Sequence, residues 1–114
     1  MNILYVENHA VFADNVIRKH LSRHTVTIVP NLAAARGAFL RSPHRVILID
    51  CDLDDGKGDE LIRELRAQGN RAIAIGVSSH EEGNAALLRA GASAVCSKMQ
   101  FDQIQNVIDT LTAK

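Results

Sequence analysis

The stretch "VILIDCDLDDGKGDE", residues 46–60, runs four consecutive apolar side chains, Val46 to Ile49, straight into Asp50, Asp52, Asp54, Asp55, Asp59 and Glu60. Carboxylates spaced this tightly repel one another unless a positive charge sits among them or water screens them. The stretch is therefore either a solvated loop or a site built to hold a cation. Its apolar half lacks polar alternation, as expected of a central strand buried on both faces.

Similar runs recur on either side. "NILYV" (2–6), "TVTIV" (25–29), "RVILI" (45–49), "AIAIGV" (72–77) and "SAVCS" (93–97) read as strands. The segments between them carry helical spacing. Ala13, Val16, Ile17, His20 and Leu21 form one stripe; Leu32, Ala35 and Phe39 form another; Leu61, Ile62 and Leu65 form a third. Ile104, Val107, Ile108 and Leu111 give the cleanest stripe, the core face of a last helix. Asn31 is suited to cap the second helix, and Gly69 and Gly91 to end the third and fourth. Five strands alternating with five helices predict a parallel sheet with right-handed crossovers and helices on both faces. The threonines of "TVTIV" suit an edge strand.

The bulk numbers narrow the class. With 114 residues, 46% hydrophobic and 23% charged, the chain reads as one globular domain, 1–114. Thirteen basic residues balance thirteen acidic ones, so no global charge points to nucleic acid or an anionic membrane. No apolar stretch approaches the roughly 20 residues needed to span a bilayer, and the N-terminus lacks a signal-peptide pattern. Cys51 and Cys96 lie far apart with no CxxC, the pattern of reduced, buried cysteines in a cytoplasmic protein.

In open sheets of this kind, ligands bind beyond the carboxyl ends of the strands. The residues at those ends are Glu7 and Asn8 after strand one and Asp50 after strand three. Ser78, Ser79 and His80 follow strand four, and Lys98 follows strand five. An EF-hand reading of Asp50-x-Asp52-x-Asp54 fails, because Asp55 and Leu61 stand where the turn glycine and bidentate glutamate belong. "LIDCDLDD" resembles the DxD of haloacid-dehalogenase phosphatases, but that motif belongs on a first strand and needs a later acidic pair. Asp55, Asp59 and Glu60 are expected to decorate the start of the third helix, favoured by its dipole. His20 and His24 have i, i+4 spacing with no further ligand nearby in sequence, and read as ordinary helix and loop residues.

Taken together, Glu7-Asn8, Asp50, Ser78 and Lys98 at their four strand ends resemble the receiver domain of two-component response regulators. "RAGASAVCSK" (89–98) and Gly58 strengthen the resemblance, which covers all 114 residues. It implies a flavodoxin-like sheet in the order 2-1-3-4-5 and a signalling switch rather than an enzyme. It also implies a phosphoacceptor, Asp50, assisted by Ser78 and Lys98. Mg²⁺ would be held by Glu7, Asn8, Asp50 and the backbone carbonyl of Asp52, while the Asp52 side chain and His80 would flank the path of attacking water. The phosphodonor would be a histidine kinase or histidine phosphotransfer protein. A homodimer or output partner would use the face of helix four, strand five and helix five, to which Val95, Met99 and Phe101 would add apolar surface.

The departures from the family pattern carry their own expectations. Asn8 puts an amide where a carboxylate usually ligates the metal, which predicts weaker Mg²⁺ binding. Val95 replaces the aromatic ring that moves on phosphorylation, and Met99 replaces a proline, removing the reason for a cis peptide. Asp54 stands where a proline is frequent, and Ser79 adds a hydroxyl beside the site. A phosphorylation-independent pseudo-receiver that binds partners is the competing expectation, and a small phosphatase is the third.

Overall fold

The computed structural model describes residues 1–113. Its elements alternate as the hydrophobic pattern predicts: β1 (Asn2–Val6), α1 (Ala10–His20), β2 (Thr25–Val29), α2 (Leu32–Arg41), β3 (Val46–Ile49), α3 (Gly58–Ala67), β4 (Ile73–Gly76), α4 (Glu81–Ala90), β5 (Ala94–Val95) and α5 (Ile104–Thr112). A two-residue hairpin, Asp52–Leu53 against Gly56–Lys57, precedes α3. A 3₁₀ segment, Lys98–Gln103, precedes α5.

The sheet strands are parallel in the order β2-β1-β3-β4-β5, with Ile3 opposite Val46 and Val46 opposite Ile73. This is the 2-1-3-4-5 doubly wound arrangement, with β2 at one edge. Alternation along the strands sorts the core into two layers. Leu4, Val6, Ile47, Ile49 and Ala74 pack under α2, α3 and α4. Ile3, Tyr5, Val46, Leu48 and Ile75 pack under α1 and α5. All four residues of β3 are fully buried, and each such aliphatic side chain contributes about 1.5–3 kcal/mol relative to exposure.

Local signals hold at most boundaries. Asn31 Oδ1 accepts from Ala34 N at 2.8 Å and caps α2. Gly91 ends α4 in the left-handed region at φ 115°. The fifth strand is shorter than the expected 93–97, covering Ala94–Val95, although Cys96 N and Lys98 N still donate to Gly76 O and Ser78 O; Ser97 caps the 3₁₀ segment. Its hydroxyl accepts from Met99 N at 3.2 Å as the 3₁₀ segment begins. No cis peptide bond occurs among the described residues.

Two expectations need correction. Asp55 does not serve the third helix. Its carboxylate accepts from Leu32 N at 2.9 Å and Ala33 N at 3.0 Å, at the start of α2. Phe101 adds nothing to the surface of α4, β5 and α5; it is buried on the opposite side, its ring 6.2 Å from Tyr5 and 5.8 Å from Phe12. Bulk and apolarity drive that ring inward, while Met99 stays exposed.

Candidate functional site

The strand ladder continues one residue past β1 and β3, and this brings two carboxylates together. Glu7 N donates to Val29 O at 3.0 Å, and Asp50 N donates to Val6 O at 3.2 Å. Glu7 is 1% exposed and Asp50 8%. Lys98, from beyond β5, closes the group: its Nζ lies 2.8 Å from Asp50 Oδ2 and 2.9 Å from Glu7 Oε2. The remaining carboxylate oxygens accept from main-chain donors, Asp50 Oδ1 from Cys51 N at 2.7 Å and Glu7 Oε1 from His9 N at 3.3 Å. The ammonium also sits 5.2 Å from the centre of the Phe12 ring, in cation–π range.

Burial raises the pKa of Glu7, more than the bond and charge of Lys98 lower it, and the charge of Asp50 adds to the rise. Burial pulls the pKa of Lys98 down, but its bonds to Asp50 and Glu7 outweigh that and raise it. The ammonium is thus held charged between the two carboxylates.

Two carboxylates against one ammonium leave an excess of negative charge, which a cation relieves. Asn8 supplies an independent sign of a ligand position. Its Nδ2 donates to Asp54 Oδ1 at 3.3 Å, while its Oδ1 is buried with no partner. An orphaned buried amide oxygen is costly, and a hard cation satisfies it. Among the described residues no three His, Cys, Asp or Glu side chains gather as a metal cluster. The donor set on offer is two carboxylates, one amide and main-chain oxygen: the right atoms for Mg²⁺, with less charge than three carboxylates would provide.

The rest of the acidic loop has other partners. Asp52 is exposed, its side chain pairs with Lys57, and its backbone lies in the short hairpin opposite Lys57. Asp59 pairs with Arg63 at 2.7 Å, and Glu60 Oε1 accepts from Lys57 N at 3.3 Å. Gly58 N donates to Cys51 O at 2.7 Å, and a side chain at Gly58 would collide with the carbonyl of Asp50. The loop folds back on the residue it presents, which requires glycine there.

The fourth strand end is neutral. Ser78 is buried, and its Oγ accepts from His80 N at 3.1 Å, leaving the hydroxyl proton free to donate elsewhere. Ser79 and His80 are exposed. Two residues that sequence reasoning passed over hold this end. Asn84, in the first turn of α4, is buried and clamps the Ser78 main chain. Gly83 lets α4 approach so closely that a Cβ there would lie 2.7 Å from Ser78 Oγ and 3.0 Å from Cys51 Cβ. An asparagine inside a helix, a poor position for it on propensity alone, was the available signal.

Other candidates stay apart from the site. Val95 is half-buried at the sheet edge, opposite Gly76. His24 Nε2 lies 2.8 Å from Gln105 Oε1 and the N-terminal amine 3.4 Å from its Nδ1, so that imidazole bridges the N-terminal amine and the start of α5. Both cysteines are free and buried, and burial raises the pKa of each thiol.

No protein-family model matches the chain, and no curated protein matches its sequence. Solved structures do match, over nearly all of it. The receiver domain of a Pseudomonas aeruginosa sensor histidine kinase, with a magnesium ion coordinated in its active-site cleft, superposes with TM-score 0.84 at 25% identity, covering 99% of this chain and 98% of that one. A Thermotoga maritima response regulator in complex with Mg²⁺–BeF gives TM-score 0.86 at 17% identity, covering 96% and 97%. The receiver domain of a Francisella response regulator gives 0.85 at 19% identity, covering 96% and 94%. This chain has the fold of a response-regulator receiver domain.

Proposed function

We propose that the chain is a phosphoacceptor receiver of a two-component system, phosphorylated on Asp50. The observation that carries this reading is the buried group of Asp50, Glu7 and Lys98, negatively charged overall, together with the buried, unpartnered Oδ1 of Asn8, the residue that follows Glu7. A structural ion pair needs one carboxylate per ammonium; two carboxylates and an orphaned oxygen make sense for a site that takes a cation and then an anion.

Asp50 acts as the nucleophile. A carboxylate oxygen attacks phosphorus of a phosphohistidine on a histidine kinase or phosphotransfer protein, the new P–O bond forms, and the P–N bond breaks with its electron pair leaving on the imidazole. Bound Mg²⁺, held by Glu7, Asn8, Asp50 and the main-chain carbonyl of Asp52, would offset the charge of the carboxylates and the incoming phosphoryl group. Lys98 exchanges its contact with the Asp50 carboxylate for one with a phosphoryl oxygen, a task suited to a flexible point charge. Ser78 donates its hydroxyl proton to a second phosphoryl oxygen. Asp52 and His80, both exposed, flank the approach of hydrolytic water. The product is a signalling state, not a released metabolite.

Intact-mass spectrometry after incubation with acetyl phosphate tests this. A gain of one phosphoryl group is expected that requires both Mg²⁺ and Asp50, and that Asp50→Asn abolishes. No gain, together with no binding of beryllofluoride, would overturn it in favour of a partner-binding module that works without phosphate.

A further inference from the structure

Ser78 lies two residues beyond β4, and its buried N–H and carbonyl need partners besides the one bond that continues toward the Lys98 side. Asn84 supplies them in reciprocal fashion. Its Oδ1 accepts from Ser78 N at 3.0 Å, and its Nδ2 donates to Ser78 O at 3.1 Å. The side-chain amide thus pairs with Ser78 as a neighbouring strand would. The same Ser78 carbonyl accepts from Lys98 N at 3.2 Å. One oxygen therefore joins the backbone that carries the hydroxyl, the backbone that carries the ammonium, and the first turn of α4. Gly83, next to Asn84, presses the helix against Ser78 Oγ with no slack.

We infer that Asn84 is a positioning residue: it fixes the Ser78 hydroxyl relative to Lys98 and makes α4 move with it. The functional half of this inference rests on the phosphoacceptor reading above. Only a side chain that donates and accepts at once can play the part. Alanine does neither, aspartate accepts but sets a carboxylate oxygen against the Ser78 carbonyl, and glutamine keeps both functions on a longer arm. The link also supplies a route from the site to α4 that needs no rotating aromatic ring, which fits a chain with Val95 at the usual ring position.

The test is a double-mutant cycle on the rate of phosphoryl gain from acetyl phosphate with Mg²⁺. Asn84→Ala is expected to slow the gain by about tenfold, equivalent to about 1.4 kcal/mol. In a Ser78→Ala background it should add almost nothing, because the hydroxyl it positions is gone. Asn84→Gln should recover part of the rate. Equal slowing in both backgrounds would overturn the inference, since a residue that only supports the fold acts regardless of Ser78. Amide hydrogen exchange gives the second arm: Asn84→Ala, which removes both bonds to Ser78, should speed exchange at the Ser78 N–H and in the first turn of α4, and unchanged protection would also overturn the inference. If the wild-type chain takes no phosphoryl group, the functional reading falls, while the exchange arm still decides whether Asn84 holds Ser78.

Discussion

The two halves of the site are built from opposite materials. At β1 and β3 the groups are charged: Glu7, Asp50 and Lys98 meet from distant parts of the chain, joined by ion pairs that any competing ion can redistribute. At β4 the groups are neutral, and Ser78 is held by reciprocal amide hydrogen bonds and by the close approach of Gly83. The charged half can change partners at little cost, since each oxygen accepts one donor as readily as another. The neutral half cannot, because each bond lost strands a buried group. On the proposed reading, the first half takes the ligand and the second turns its presence into a displacement.

The largest effect should come from removing the shared cation. Lys98→Ala leaves two buried carboxylates unpaired and is expected to cost about 3–5 kcal/mol, measured by urea denaturation without metal, with Mg²⁺ restoring part of the loss. Asn8→Asp should sharpen the contrast by making the charged half more dependent on its ligand. It is expected to tighten Mg²⁺ by about tenfold in titration calorimetry while lowering stability in the absence of metal, because a third carboxylate joins the group. On the neutral half, Gly83→Ala brings strain of about 1–3 kcal/mol from a methyl forced against Ser78, partly offset by about 1 kcal/mol of better helix propensity. A net loss of about 1 kcal/mol in the same denaturation assay, unaffected by Mg²⁺, would mark that half as independent of the ion.

Glu7 gives the smallest effect and the one with a pH signature. Its folded-state pKa is raised, first by burial, so the folded protein binds this proton more tightly than the unfolded chain does. Its contribution is therefore fully present below the ordinary carboxyl pKa and lost as pH rises through the elevated value. Glu7→Gln should remove that decline, so that the melting temperature without metal falls less from acid toward neutral pH than in the wild type. A steeper decline in the variant would mean that Lys98, not burial, governs Glu7.

Much of the fold was legible because it depends on short-range pattern. Runs such as Val46 to Ile49, and stripes such as Leu61, Ile62 and Leu65, carry their burial in their spacing. The charged half of the site was legible too, since strand ends mark its members. What escaped depends on partners distant in sequence or on packing. Asp55 sits three residues before a helix start, yet caps α2, twenty-three residues away from it in the chain at Leu32. Phe101 has an exposed neighbour in Met99, and only the aromatic pocket of Tyr5 and Phe12 decides that one turns in and the other out. Asn84 looks like a surface helix residue until α4 is laid against the end of β4.

Tyr5 lies fully buried beneath the site, its phenol unpartnered, and its pKa is raised by burial and then by the charges of Glu7 and Asp50. The chain has no other tyrosine and no tryptophan. Its intrinsic fluorescence is therefore the emission of a single chromophore, close enough to the carboxylates to feel their charge. Because the folded environment resists its ionisation, the tyrosinate absorbance band in an alkaline titration will emerge with unfolding rather than ahead of it. The protein carries its own optical probe close to Glu7 and Asp50, with no label to attach and no tryptophan to swamp it.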